Sequence, residues 1–341
     1  MSFGKYIYAS KRFSLLYGWL FLLIPLFTGC IYQDEELCDD GGGGDDGTCI
    51  RFNFLYDYNM AHTDLFAEQV DHVTLIIYTE KGELEQVVEV YRKDMEENHT
   101  VSLVLSPGYH TAVAWGNIHT DHYRLSNHEM TSSHLLEMTC IEDETMTRAN
   151  PGSLFHASNT FQIIAGDEYI VPMEMIKNSN QVKVVIKGLT EEDQQEAESR
   201  FVLRMSSNNW RYNYDNSINA EYPVTYLPER SPESDTTGDP DDISAAFTFY
   251  PLRLFTYDRE TVLSLHYRNP ITGREAALER PLVPYLLSRS GNNPDIMPAK
   301  DKENEYLDRE DTYEVIFMLG VDVDGNIRIE EWDGINQGGN L

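Results

Sequence analysis

The sequence predicts an all-β chain of two tandem β-sandwiches with one or two short helices. Three observations carry this. From Ile50 onward apolar side chains recur at every second position, the period of a strand with one buried face. Turn residues punctuate these runs, with 14 Pro and 22 Gly in 341 residues. The runs also fall into two consecutive sets of seven, and the chain is long enough for two cores of roughly 150 residues each.

The first set opens at residues 50–56, where Ile50, Phe52, Phe54 and Tyr56 alternate with Arg51, Asn53 and Leu55. Residues 73–78 read as a buried strand, and Glu80-Lys81-Gly82-Glu83 turns the chain into a hairpin with 84–91. Residues 101–105 lead into Ser106-Pro107-Gly108, a turn whose glycine can take positive φ, and 109–115 return. On that returning strand Ala112, Ala114 and Gly116 share one face, and Tyr109, Val113 and Trp115 share the other. Trp115 is expected to fill the sandwich core. Residues 118–159 read as polar and irregular, with a short helix a candidate near 133–138. Strands at 161–164 and 169–176 complete the set.

The second set begins at 182–186 and stops at Gly188. Thr190-Glu191-Glu192-Asp193 has the form of a capping box and opens one short helix through about residue 198. Strands follow at 201–205, 247–255, 261–267, 276–282, 313–321 and 327–332. The last two are joined by Asp324-Gly325-Asn326, a hairpin signal. Residues 231–242 form a Pro/Ser/Asp/Gly loop. The halves divide near Asn178-Ser179-Asn180, which places one sandwich at 49–178 and the other at 179–341.

Ahead of both lies an address. Lys5, Lys11 and Arg12 precede an apolar stretch at 13–27, short for a spanning helix and disturbed at its end by Pro25. It closes on Leu26-Phe27-Thr28-Gly29-Cys30, similar to a lipobox, in which the peptide is cut before the cysteine and the thiol is acylated. Phe27 departs from the usual aliphatic residue. An ordinary signal peptide and an uncleaved anchor helix are the alternatives. Residues 1–29 are thus read as a lipoprotein signal peptide and 30–48 as an acidic, Gly-rich tether. Within the tether, Gln33-Asp34-Glu35-Glu36 resembles the acidic export tag of surface lipoproteins in certain Gram-negative anaerobes, or serves as a solvated spacer.

Charge excludes one class of function. The chain carries 26 basic against 57 acidic residues, and losing the three basic groups of the signal takes the net charge from −31 to −34. Such a field repels phosphate, so no nucleic-acid partner is expected. With Cys30 acylated, Cys38, Cys49 and Cys140 remain in an oxidising compartment. Cys38 and Cys49 flank the glycine run and are a candidate disulfide; Cys38 with Cys140 is equally allowed.

Catalytic and metal signals are thin. His119, His122, His128 and His134 sit in one polar loop, and His119-x-x-His122 has tolerable ligand spacing, but no H-E-x-x-H frame exists. Asp322-x-Asp324-Gly325-Asn326 places its glycine wrongly for an EF-hand loop. No G-x-S-x-G or phosphate-binding glycine loop is present. No enzyme, metal or cofactor is expected. Asp235-Thr236-Thr237 resembles an O-glycan acceptor, which makes Thr236 a candidate site, though a chance tripeptide explains it too.

Taken together, the residues resemble the anchor subunits of the fimbrillin-associated family, lipoproteins that tether fimbriae to the outer membrane. The features run in order: Gly29-Cys30-Ile31-Tyr32 with an acidic stretch and Cys38, the strands at 50–56 and 73–78, then the turn Leu105-Ser106-Pro107-Gly108-Tyr109 leading to Ala114-Trp115-Gly116-Asn117. Segments 182–189, 208–216 and 327–332 continue the likeness through the second half. The resemblance implies two transthyretin-like sandwiches and a lipid-tethered role at the base of a cell-surface fimbria, limiting its release and length. It also implies a fimbrial shaft subunit as partner, joined by β-strand addition, and outer-membrane lipid held through Cys30.

Two rivals stand beside this. A polymerising shaft or tip subunit would be trimmed at a basic residue, and Arg51 is the first after Cys30. A surface glycan-binding lipoprotein would need exposed aromatic rings, and Trp210, Tyr212 and Tyr214 alternate onto one face.

Overall fold

The computed structural model describes residues 47–118, 121–126, 135–139, 145–165, 169–219, 222–231, 243–256, 260–290, 303–323 and 326–331. Its first strands are β1 (Thr48–Leu55), β2 (His72–Thr79), β3 (Leu84–Tyr91), β4 (Thr100–Leu105) and β5 (Gly108–Gly116). Then come β6 (Tyr123–Leu125), β7 (Leu135–Met138), β8 (Met146–Thr147), β9 (Phe155–Ile163), β10 (Tyr169–Glu174) and β11 (Ile176–Lys177).

Strand β1 lies at the centre of the three-stranded sheet β10-β1-β4. It runs antiparallel to β4 from Thr48↔Leu105 to Asn53↔Thr100 and parallel to β10 from Ile50↔Tyr169 to Leu55↔Glu174. The five-stranded sheet β11-β9-β5-β2-β3 faces it. The interior between them holds Ile50, Phe52, Phe54, Leu103 and Met173 against Leu75, Ile77, Ala112 and Ala114. Small residues on β5 leave room for the aromatic rings of β1. At Gly116 the room is gone: a Cβ there would sit 3.1 Å from both Met175 Cε and Phe155 Cβ.

The second half repeats the plan with β12 (Gln181–Lys187), β13 (Phe201–Ser207), β14 (Arg211–Asn213), β15 (Val224–Tyr226) and β16 (Glu229–Arg230). It continues with β17 (Ser244–Phe249), β18 (Val262–Arg268), β19 (Glu275–Pro281), β20 (Thr312–Val321) and β21 (Ile327–Glu331). Here β12 is central in β16-β17-β12-β20-β21, antiparallel to β17 and parallel to β20 from Gln181↔Thr312 to Lys187↔Met318. Sheet β19-β18-β13-β15-β8 closes the sandwich. The all-β sandwich class is therefore as expected.

The turns hold for the anticipated reasons. Gly82 and Gly108 take positive φ of 76° and 146°. Between β20 and β21, the Asp322 N–H donates to the Asn326 carbonyl at 2.8 Å and closes the hairpin. The capping box forms, with Thr190 Oγ1 accepting from the Asp193 N–H at 3.1 Å. After a one-turn helix in the first half, α1 (Phe66–Gln69), the box opens α2 (Glu191–Gln195), and α3 (Ala197–Arg200) follows.

Several expectations change. Residues 118–159 are not merely irregular, and the helix expected near 133–138 gives way to strand β7 (Leu135–Met138), which pairs on one side with β6 and on the other with β14 of the second half. Strand β8 pairs parallel with β15. The excursion from the first half therefore inserts strands among those of the second. Strand β17 ends at Phe249, short of the expected 255, ahead of Pro251, which has no N–H to give a ladder. Leu282 opens a helix, α4 (Leu282–Ser290), rather than closing a strand. A second unforeseen helix, α5 (Glu303–Arg309), precedes β20.

Trp115 is buried, but not between the two sheets of the first sandwich. It lies on the opposite face of β5 with Val113, in the core shared with Leu136, Met138, Trp210 and Tyr212. On the outer face of the five-stranded sheet, Val113 and Trp115 are covered by the β14-β7-β6 sheet, so both faces of β5 are buried from Ala112 onward.

Candidate functional site

Two places concentrate structure that a binding protein could use: strand β1, where the preceding segment enters the fold, and the junction between the halves. On β1 the side chains alternate strictly, with Ile50, Phe52 and Phe54 inside and Cys49, Arg51 and Asn53 half-exposed. Phe52 meets Phe161 edge-on at 5.7 Å and Phe54 stacks on Phe66 at 5.9 Å. Cys49 is disulfide-bonded, with its partner outside the described residues.

The end of β1 is pinned. Tyr56 N–H donates to Asp64 Oδ1 at 2.9 Å, and its carbonyl accepts from the Leu65 N–H at 2.9 Å and Asn59 Nδ2 at 2.8 Å. Beyond it the chain docks on α5. Arg309 Nη1 donates to the carbonyls of Asp57 and Asn59 at 3.3 and 3.2 Å, and its guanidinium lies 4.1 Å from the centre of the Tyr58 ring. Lys177 pairs with Asp311 nearby. Burial, reinforced by the Asp311 charge, pushes the Tyr56 phenol above its usual range.

At the junction Trp115 meets His156 edge-on at 4.5 Å. His156 Nε2 lies 2.8 Å from the Tyr214 carbonyl, which makes that nitrogen the proton-bearing one in the neutral ring. Burial lowers the His156 pKa to about 4, so the ring is neutral at ordinary pH. Beside it runs a groove of about 590 Å³ lined by Asn159, Glu174, Asp215, Ser217 and Arg253 among others. Two of its charges are already engaged. Arg253 pairs with Asp308 at 2.6 Å, and Asp215 accepts from both the hydroxyl and the N–H of Ser217, at 2.6 and 3.1 Å, which closes a turn.

Of the residues singled out in the sequence, Cys30, Cys38, Cys140, Thr236, His119, His128 and His134 lie outside the described residues. Among the described residues no group of three or more His, Cys, Asp or Glu could hold a metal ion. The aromatic platform is overturned. Trp210 and Tyr212 are 5% and 0% exposed, and Trp210 Nε1 donates to the Tyr222 carbonyl at 2.9 Å. Both rings fill the core beneath β7, so they offer no surface to a sugar. Arg51, by contrast, is where it was expected, in the first strand, paired with Ser102 on one side and Ile170 on the other. Sequence reasoning missed Arg309, one of many scattered basic residues. It also missed strand β7, although the alternation of Leu136, Glu137 and Met138 was a legible signal of a strand.

With this geometry in view, the comparisons with known proteins are informative. The sequence model of the family of fimbrillin-A associated anchor proteins Mfa1 and Mfa2 matches residues 38–338. No curated protein matches the chain. Among solved structures, a candidate adhesin from Bacteroides ovatus is 18% identical with a TM-score of 0.67, over 85% of this chain and 97% of that one. A candidate polysaccharide-binding protein from Bacteroides thetaiotaomicron is 18% identical with a TM-score of 0.66, over 85% and 99%. The fimbrial anchor protein Mfa2 from Porphyromonas gingivalis is 16% identical with a TM-score of 0.63, over 84% and 98%. At these identities the structural likeness is one of fold.

Proposed function

The chain belongs to the family of fimbrillin-A associated anchor proteins, and on that premise we propose that it is a lipoprotein of the outer membrane, acylated at Cys30, that anchors a cell-surface fimbria and limits its release and length. As a member it is a fimbrial accessory protein, and its place is the fimbrium at the cell surface. The finer reading adds how it is held and how it holds its partner. Acyl chains on Cys30 would fix it to the lipid, and residues 30–48 would serve as a charged spacer between membrane and fold. The sandwiches at 49–178 and 179–341 would follow as the folded part. The neighbouring fimbrial subunit would be engaged by β-strand addition, in which main-chain hydrogen bonds give affinity and alternate side chains give specificity.

The observation that carries an anchor over a trimmed subunit is the position of Arg51. It sits in the middle of a strand paired on both sides, with Ile50 and Phe52 fully buried beside it. A protease needs an extended, unpaired backbone, and cleavage here would cost the central strand half its length. An anchor that must stay joined to Cys30 is served by that placement.

Mass spectrometry of the native protein from outer membranes tests this. The expected result is an acylated Cys30 peptide on a chain continuous through Arg51, with fimbrial subunits co-purifying. A chain starting after Arg51 would make it a shaft or tip subunit. Intact acylated chain that brings down no fimbrial subunit, but binds polysaccharide, would replace anchoring with glycan binding.

A further inference from the structure

A tethered anchor is pulled, and the strand order bears on how it would resist. We propose that the fold carries a mechanical clamp: β1 and β10 in the first half, and β12 and β20 in the second, are loaded in shear when the chain is pulled between its tether and its far end. The proposal rests on the reading that the segment before β1 is the tether.

The geometry is the same twice. In each half the first strand is central, lies antiparallel to one neighbour, and lies parallel to a strand from the end of that half. A pull on the tether acts at the N-terminal end of β1. If the reaction leaves through the link from β10 into β12, it acts at the C-terminal end of β10. Opposite forces at opposite ends of adjacent parallel strands slide one along the other. Every hydrogen bond between Ile50↔Tyr169 and Leu55↔Glu174 is then loaded together, along with the ladder from β1 to β4. Peeling would instead load them one at a time. The inward side chains resist sliding as well, because Phe52 and Phe54 are keyed into the core at 0% and 1% exposure.

The end of β1 offers a second outlet for load. Arg309 grips the Asp57 and Asn59 carbonyls and the Tyr58 ring, so tension arriving at Leu55 passes directly to the second half. There β12 and β20, in register from Gln181↔Thr312 to Lys187↔Met318, repeat the shear arrangement. Val323, fully exposed just beyond β20, marks the far end of that strand. Resistance to force is set by the unfolding barrier along the pulled direction, not by equilibrium stability, so strand direction can be selected for it independently.

The test is single-molecule force spectroscopy on the full mature chain in two pulling geometries. In one, handles are attached at the N-terminus and at position 323, which shears both strand pairs. In the other they are attached at the N-terminus and at exposed position 107. Because Thr48 and Leu105 are register partners, this peels β1 from its end. The clamp predicts a rupture force higher by roughly two-fold or more in the first geometry. Equal forces, or a higher force on peeling, would overturn it. Acylation of Cys30 is read separately by mass spectrometry. An acylated chain with equal forces keeps the anchor and removes the clamp. An unacylated chain with a high shear force keeps the clamp and removes the tether as its purpose.

Discussion

Replacing Trp115 with alanine should both destabilise the protein and uncouple its halves. A buried tryptophan removes about 150–250 Å² from water, and at about 25 cal/mol per Å² this is worth about 4–6 kcal/mol. Measured costs of truncating large aromatic residues to alanine run at about 3–5 kcal/mol, because neighbours relax only in part. Trp115 is 0% exposed and touches His156 and Tyr212 on opposite sides of the junction, so a loss of about 4 kcal/mol is expected. The second consequence follows from the face it occupies. Its core is built from both halves, whereas Leu103 packs only within the first sandwich. Urea unfolding is followed by far-UV circular dichroism and by tryptophan fluorescence, in a Trp332→Phe background of the chain without residues 1–29, where Trp115 and Trp210 emit in the parent and Trp210 alone in Trp115→Ala. The parent should show coincident transitions. In Trp115→Ala the Trp210 signal should be lost at lower urea than the dichroism. Leu103→Ala, at a cost of about 2–5 kcal/mol, should keep the two together. A Trp115→Ala variant that loses under about 1 kcal/mol, or whose two probes stay coincident as in Leu103→Ala, would refute the reasoning.

Three further outcomes are expected. The folded-state pKa of His156, about 4, lies below its unfolded value near 6.5. The unfolded chain therefore binds more protons between those values, and a contribution of about 3 kcal/mol present above pH 6.5 should drain away as pH falls toward 4. In His156→Gln, whose amide can still donate to the Tyr214 carbonyl, the urea midpoint should fall less steeply over that window, and an unchanged slope would assign the pH dependence elsewhere. Thr190→Ala removes the acceptor for the Asp193 N–H and should cost about 1 kcal/mol by thermal melting, with Thr190→Ser restoring most of it. Peptide mapping without reduction should find Cys49 joined to Cys38, and a Cys49–Cys140 peptide would dismiss that pairing.

Much of the fold was legible because a strand buried on one face writes its period into the chain. The seven strands expected in the first half and the seven in the second all exist. What the period could not convey is pairing at a distance. Strand β7 is four residues long, and its partner β14 lies more than 70 residues further on. No local signal in either segment names the other. Helix α4 was hidden differently. Its Pro284 falls in the first helical turn, where a missing N–H costs nothing, yet in sequence it reads as a strand terminator. Of the candidate site, Arg51 was legible as the first basic residue after Cys30, inside the first predicted strand. The Arg309 grip was not, because nothing in α5 announces that two backbone carbonyls and a tyrosine ring some 250 residues earlier will lie against it.

The misplacement of Trp115 shows what alternation leaves undecided. A period of two separates the faces of β5, but it does not say which face is inside when both are buried. Size decided it here. The interior of the first sandwich already receives Phe52 and Phe54 from β1, so β5 can present only Ala112, Ala114 and Gly116 on that side. The bulky residues must face outward, and an outward Trp115 requires a cover. Strands β6, β7 and β14 supply it, and because β14 comes from the second half, covering the tryptophan also fastens the halves together. Small residues behind β1 and a large one in front of β5 thus have one cause. The same packing that seats the first strand also joins it to the rest of the molecule.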